Sequence, residues 1–179
     1  MIFLNIIYLY MYLFHNTNLS SLKKIIKDGL IKASYLTNNL NEGDGIYDKK
    51  DQKFIYFSVV DEIKSKYKIY SDITLYFDTK ILWNRTFFIA PYHSSNPDKL
   101  DKDKKKYKQY YKNTNLVLNK LFNNSISKNK VFQSFQQIAL KKQVNLKYVK
   151  AIKFNKSRPS KELIKLLTKE FPDILILTR

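Results

Sequence analysis

One histidine in this chain lies where a polar side chain can meet a ligand. His15 follows an apolar run over residues 6–14, which predicts a buried strand, and a helix is predicted from residue 20 onward. A buried strand that delivers one polar group to its carboxyl end, just before a helix, is a common way to present that group to a ligand. A lone histidine in such a position is more often structural, so the residues that accompany His15 have to decide between the two interpretations.

The composition removes several other kinds of site. The chain has no cysteine and two histidines, His15 and His93. Thiolate catalysis, disulfides and zinc-thiolate sites are therefore excluded, and two distant histidines predict no zinc site. Gly43 and Gly45 lack the strand-turn-helix context and the further glycines of a phosphate-binding loop. We expect neither a metal nor a phosphate loop.

The chain is strongly basic, with 33 Lys and Arg against 15 Asp and Glu, a net charge of +18. Such a balance favours a polyanionic partner such as nucleic acid. The alternative has equal weight: Lys, Asn, Ile and Tyr are all abundant, as A+T-rich coding would produce, and arginine, the better phosphate ligand, occurs at three positions. The lysine-rich run over residues 99–112 carries both signs of charge and predicts a solvated helix or a mobile loop.

Length and patterning predict one α+β domain spanning residues 1–179, since 44% hydrophobic residues are enough for a core. Strands are predicted at 54–58, 73–77, 86–89, 132–140, 147–154 and 174–177, and helices at 20–28, 59–70, 116–122 and 160–170. The strands at 132–140 and 147–154 are expected to pair with each other. The sequence therefore predicts a fold in which strands dominate and helices flank them.

The apolar start of the chain predicts neither a membrane anchor nor a secretory signal. It is too short to span a bilayer, and no basic residue precedes it. We expect a monomeric protein without a membrane partner, inside the cell, in the cytoplasm or the nucleus.

Two short sequence motifs near the start of the chain follow each other in an order that helps to interpret His15. The first is Phe14-His15-Asn16-Thr17, followed by a predicted helix that closes on Gly29-Leu30. The second is Ile55-Tyr56-Phe57-Ser58, with Tyr67 eleven residues beyond Tyr56.

A third block, Gln-Val-Asn-Leu-Lys-Tyr-Val at residues 143–149, runs into Ile152-Lys153-Phe154. Together the three blocks resemble the NAD-dependent ADP-ribosyltransferases of the poly(ADP-ribose) polymerase type. The resemblance implies an ADP-ribosyltransferase-like fold, a split and mostly antiparallel β-sheet with flanking helices. His15-Asn16-Thr17-Asn18-Leu19 is also similar to the His-x-x-Asn-Leu start of a toxin-like branch that acts on DNA. The resemblance therefore does not decide between the two subfamilies.

The resemblance implies a role for each residue of an NAD site. His15, in the motif His15-Asn16-Thr17, would hydrogen-bond a ribose hydroxyl, and the main chain at Asn16 would hold the nicotinamide carboxamide. Tyr67 would stack on the nicotinamide ring with Tyr56 flanking it, an aromatic contact that contributes about 0.5–1.5 kcal/mol beyond area burial. Ser65 would add a contact to the carboxamide.

The chain departs from the family at its catalytic glutamate. Aligning the third block with two residues fewer in the turn before Gln143 places Gln137 at that position and keeps the strand alternation, whereas an ungapped match places Phe135 there. Glutamine can hydrogen-bond a ribose but cannot accept a proton, so general-base assistance of about 10²–10⁴-fold is absent. The glycine of the family's His-Gly pair is also replaced, by Asn16, whose side chain is expected to crowd the nicotinamide subsite.

Two functions follow. The first is mono-ADP-ribosyl transfer from NAD to a protein or nucleic-acid acceptor, with NAD as substrate and no metal. The second is a catalytically impaired module of the same fold that binds a nucleotide, or nucleic acid through its basic surface.

Overall fold

The structure is a computed structural model that describes residues 11–33, 36, 54–60, 63, 71–82, 85–90, 108–110 and 137–178. The described residues contain two α-helices, α1 (Leu19–Asp28) and α2 (Lys161–Glu170). The strands are β1 (Tyr12–Thr17), β2 (Leu30–Lys32), β3 (Phe54–Val60), β4 (Ile73–Asp78), β5 (Phe87–Ala90), β6 (Lys108–Tyr110), β7 (Gln137–Lys141), β8 (Gln143–Asn145), β9 (Val149–Phe154) and β10 (Leu175–Thr178). Short 3-10 turns lie at Thr79–Leu82 and Leu146–Tyr148.

Eight of the described strands form one sheet in the order β10-β9-β4-β1-β3-β7-β5-β6. All of its pairs are antiparallel except β9 with β10, which are parallel and joined through α2. Strands β2 and β8 form a separate two-stranded ladder. The predicted α+β class, with a mostly antiparallel sheet and flanking helices, is confirmed.

Both helices pack on the same face of the sheet. Leu22 of α1 and Leu167 of α2 are buried in one cluster with Leu13, Phe57 and Leu75, which occupy alternate positions on the central strands β1, β3 and β4. Because successive strand residues point to opposite faces, Phe14 and Tyr76 belong to a second cluster on the other face. The sheet therefore has two distinct faces at its centre.

Local sequence signals set the ends of α1. The Asn18 side chain accepts a hydrogen bond from the Ser21 N–H at 2.8 Å, which caps the amino end, directly after β1. Gly29 adopts φ +64° at the carboxyl end, a conformation that glycine reaches without strain. The helix is thus held immediately beyond the last residues of β1.

Four of the sequence expectations are wrong in detail. β1 continues through Thr17, so His15 lies inside the strand rather than at its end. β3 continues to Val60, where a helix was expected to begin. β7 pairs with β3 and β5, and β9 with β4 and β10, so these two segments do not pair with each other. The lysine-rich run contains strand β6.

The predicted helix at 116–122 and most of that at 59–70 lie outside the described residues. The predicted strand at 132–140 is described only from Gln137 onward, where it forms β7, and its earlier residues lie outside the described part of the chain. The other predicted strands and helices agree with the structure within two residues. Within the part of the chain that the structure describes, no helix is long and apolar enough to cross a membrane.

Candidate functional site

The central strands β1 and β3 part before they end. Their ladder stops at the pair Phe14 and Ser58, although β1 continues to pair with β4 as far as Thr17, and β3 with β7 as far as Phe54. We call the resulting opening the fork, bounded by residues 15–17 of β1 and 54–57 of β3. Within the described residues, the main chain of β1 at the fork has a strand partner on its β4 side alone. Its other edge can therefore offer main-chain donors and acceptors to a ligand.

His15 bridges the fork. Its Nδ1 lies 3.0 Å from the carbonyl oxygen of Tyr56, and its ring centre lies 5.6 Å from that of Phe57. In a continued ladder, Asn16 would stand opposite Tyr56. The imidazole therefore donates a hydrogen bond to the Tyr56 carbonyl, at a position along β3 where pairing with β1 has stopped.

This hydrogen bond defines the tautomer of His15. A carbonyl oxygen can only accept, so Nδ1 carries the proton and Nε2 of the neutral ring is an acceptor. Burial lowers the pKa of His15 below its ordinary 6.5, and the bond to the Tyr56 carbonyl opposes that shift without cancelling it. At neutral pH the ring is uncharged, and Nε2 makes no hydrogen bond to any other described residue. It is suited to accept a hydrogen bond from a hydroxyl group.

The other predicted NAD-site residues of the first half of the chain lie on β1, on β3 or outside the described residues. Asn16 is exposed at the fork, and Thr17 ends β1 opposite Ile73 of β4. Tyr56 is half-buried on β3, with its ring 6.3 Å from that of Phe54. Ser65 and Tyr67 lie outside the described residues, so their stacking and carboxamide roles stay predictions.

Gln137 is the first residue of β7. The next residue, Ile138, stands opposite Phe57 of β3, so Gln137 begins its strand at the level of Ser58, where the β1–β3 ladder stops. The main chain thus places His15 and Gln137 on strands that flank β3, close to the same level. The role of Gln137 as the counterpart of a catalytic glutamate stays a prediction.

No carboxylate of the described residues hydrogen-bonds to β1 or forms an ion pair with it. Glu162 and Glu170 lie on α2, and Glu42 and Glu62 are outside the described residues. Among the described residues, no three or more His, Cys, Asp or Glu side chains lie together so that they could hold a metal ion. The described part of the fork is therefore a neutral, hydrogen-bonding environment.

Two residues at the fork were missed by sequence reasoning. Asn155, just after β9, donates from Nδ2 to Thr74 Oγ1 at 2.8 Å, and Thr74 Oγ1 donates to Asn16 Oδ1 at 3.2 Å. Thr74 sits in the run Ile-Thr-Leu-Tyr-Phe, where a threonine looks like an ordinary strand former. No local signal marks a contact between residues 81 positions apart.

A cavity of about 520 Å³ lies elsewhere, at the carboxyl ends of α1 and α2. Gly29, Leu146, Lys147 and Phe171 are among its lining residues, and His15 is not. Since α1 is ten residues long, this cavity is about 15 Å from the fork along the helix. It holds none of the predicted site residues, so we place the candidate site at the fork.

Comparison with solved structures assigns the architecture to the ADP-ribosyltransferase-like fold. The similar chains include DarT from Thermus sp. 2.9 in complex with NAD⁺, at 14% identity and a TM-score of 0.59, covering 94% of each chain. The same protein in complex with ADP-ribosylated single-stranded DNA has 12% identity and a TM-score of 0.60, covering 94% of this chain and 93% of that one.

Thermosipho africanus DarTG in complex with ADP-ribose matches at 9% identity and a TM-score of 0.51, covering 93% of this chain and 49% of that chain. No protein-family model matches the sequence, and no curated protein matches it. The similar chains confirm the predicted fold, and the finer resemblance to the poly(ADP-ribose) polymerase type stays a prediction.

The depressed pKa of His15 predicts a pH-dependent stability. Between the folded pKa and the unfolded value of 6.5, the unfolded state binds more protons, so the free energy of unfolding falls as the pH drops below 6.5. Urea denaturation from about pH 8 to about pH 5 measures this slope. The variant His15→Gln should lose this part of the slope, whereas the control His93→Gln should keep it. Equal slopes for the wild type and His15→Gln would contradict a neutral imidazole whose pKa is depressed in the folded state.

Proposed function

We propose that this chain is an NAD-dependent mono-ADP-ribosyltransferase that transfers ADP-ribose to single-stranded DNA and releases nicotinamide, with residues 1–179 forming one ADP-ribosyltransferase-like catalytic domain. The fold supports the proposal because DarT, with the same fold, is seen both with NAD⁺ and with ADP-ribosylated single-stranded DNA. The toxin-like start His15-Asn16-Thr17-Asn18-Leu19 agrees with it. The impaired binding module is the less favoured alternative.

The observation that carries the proposal is the geometry of His15. Its Nδ1 is held by the Tyr56 carbonyl, so Nε2 is left as an acceptor of known orientation at the only break in strand pairing that the described part of β1 shows. A ribose hydroxyl needs such an acceptor. The open main-chain edge at Asn16 offers the complementary donor and acceptor that a carboxamide requires.

Loss of nicotinamide passes through a short-lived ribosyl oxocarbenium ion, so catalysis depends on the pose of the dinucleotide. Correct orientation of a bound substrate contributes about 7–11 kcal/mol in favourable cases. In this chain, hydrogen bonds at the fork and the aromatic ring of Tyr56 would supply that orientation without a charged side chain. Tyr67 would complete the nicotinamide subsite by stacking.

A DNA acceptor suits the charge of the chain. The net charge of +18 attracts a polyanion over a distance of about 10 Å, the screening length at moderate salt. Lys141, at the end of β7, lies 5.0 Å from the ring centre of Phe88 and is exposed, so a cation and aromatic rings already meet beside the strands of the fork. We therefore place DNA before protein as the acceptor.

Transfer to DNA should depend on His15. With radiolabelled NAD and a single-stranded oligonucleotide, the wild type is expected to label the DNA, and His15→Ala to lose at least about 100-fold of that rate because the ribose is no longer oriented. Gel analysis of labelled DNA and chromatography of free nicotinamide measure the two products. The matched control His93→Ala should retain the wild-type rate.

Three results would separate the alternatives. Labelling of protein in place of DNA would show that the acceptor is a protein, while the ADP-ribosyl transfer reaction would stand. Absence of nicotinamide release, together with salt-dependent DNA binding that survives His15→Ala, would favour the binding module and contradict the enzyme. Equal activity of His15→Ala and wild type would remove His15 from the site.

A carboxylate at residue 137 should accelerate the reaction. Gln137→Glu supplies the general base and the negative charge that glutamine lacks, and we expect the rate of nicotinamide release to rise by about 10²-fold or more. The neighbouring Gln136→Glu adds the same charge at the position that neither alignment assigns to the glutamate, so it is the matched control and should have no such effect. Acceleration by Phe135→Glu alone would show that the ungapped alignment is correct.

A further inference from the structure

The side chain of Thr74 is fully buried and has two hydrogen-bond partners. It is the buried polar residue among the described core positions, on β4, directly opposite Asn16 of β1. Its hydroxyl accepts from Asn155 Nδ2 and donates to Asn16 Oδ1. We call these three side chains the relay.

The relay has a fixed polarity. The amide nitrogen of Asn155 can only donate, so the Thr74 hydroxyl accepts from it. The Thr74 hydroxyl then donates its one proton to Oδ1 of Asn16, which is the acceptor. Asn155 is itself anchored, because its main-chain N–H donates to the Asp72 carbonyl at 2.8 Å. The exposed side chain of Asn16 is thus drawn toward β4, away from β3.

Asn16 needs such a restraint because of where it stands. On its other side lies the open edge of the fork, with Tyr56 at the position that an extended ladder would place opposite it. An asparagine side chain readily hydrogen-bonds to nearby main-chain groups. It also carries the same functional group, a carboxamide, that the proposed nicotinamide ligand would present to that edge.

We propose that Thr74 and Asn155 are positioning residues that hold the Asn16 carboxamide against β4, so that it does not occupy the fork in place of the ligand's carboxamide. The inference rests on the proposed function, because NAD is the ligand for which the fork would be kept accessible. It also accounts for a side chain at residue 16, since an asparagine that is tied to β4 leaves the fork accessible.

The relay is tested by removing its central hydroxyl without changing its shape. Thr74→Val is expected to raise the KM for NAD by about three- to tenfold, the effect of one hydrogen bond, with kcat unchanged. Thr74→Ser keeps the hydroxyl and should keep the wild-type KM. Asn155→Ala removes the hydrogen bond that Thr74 accepts, nearer the surface, and should raise the KM for NAD in the same way. It provides the test if Thr74→Val folds poorly.

The decisive control is the background Asn16→Gly, which has no side chain to restrain. Adding Thr74→Val to Asn16→Gly should change the KM no further. A rise of the same size in both backgrounds would show that Thr74 acts through the packing of β4 and would overturn the inference, as would an unchanged KM in both Thr74→Val and Asn155→Ala.

NAD binding to the wild type, measured by calorimetry, distinguishes this inference from the proposed function. A wild type that neither binds NAD nor releases nicotinamide overturns the proposed function and the inference with it. A wild type that binds NAD with an affinity that Thr74→Val and Asn155→Ala leave unchanged overturns the inference alone.

Discussion

The candidate site depends on one hydrogen bond, from His15 Nδ1 to the carbonyl oxygen of Tyr56. The ladder between β1 and β3 stops after three residue pairs, and a carbonyl left without a partner away from water costs about as much as a lost hydrogen bond. The imidazole satisfies this carbonyl from the side, so the strands can separate without that loss. The same bond fixes the tautomer of the ring and hence the chemistry that Nε2 can perform.

The rest of the fold holds the two strands so that they can part. β1 remains paired with β4 along its whole length, and β3 remains paired with β7. On one face of the sheet, Leu13 and Phe57 pack with residues of α1 and α2. Beyond Thr17, the capped start of α1 fixes the direction of the chain. The fork is therefore an opening between two well-supported halves of the sheet.

Much of the fold could be predicted from the sequence because its signals are local. The glycine after α1 acts within one helical turn, and β4, which is buried on both faces, is recognised as a strand from its continuous run of β-branched and aromatic residues. The end of β3 was misplaced because Val59 and Val60 suit a helix face as well as a strand, and the strand won through its pairing with β1. The partners of β7 and β9 were wrong because adjacent segments usually pair, whereas this sheet separates them.

The candidate site was predicted in part, through resemblance more than through pattern. His15, Asn16 and Tyr56 were named from short motifs, and the structure brings them to one opening. Thr74 and Asn155 could not be found, since their contact with Asn16 joins β1, β4 and the residue just after β9, which are distant in sequence, and nothing in their neighbours encodes it. Long-range hydrogen bonds of this kind become visible only when the register of the sheet is known.

We propose that NAD binds at the fork with His15 Nε2 as a hydrogen-bond acceptor. The most direct measurement is nitrogen-15 NMR of the imidazole during a titration with NAD. We expect the Nε2 resonance to move as Nε2 gains a hydrogen bond, while the Nδ1 proton stays bonded to the Tyr56 carbonyl. NAD binding that leaves both nitrogen resonances of His15 unchanged would contradict it.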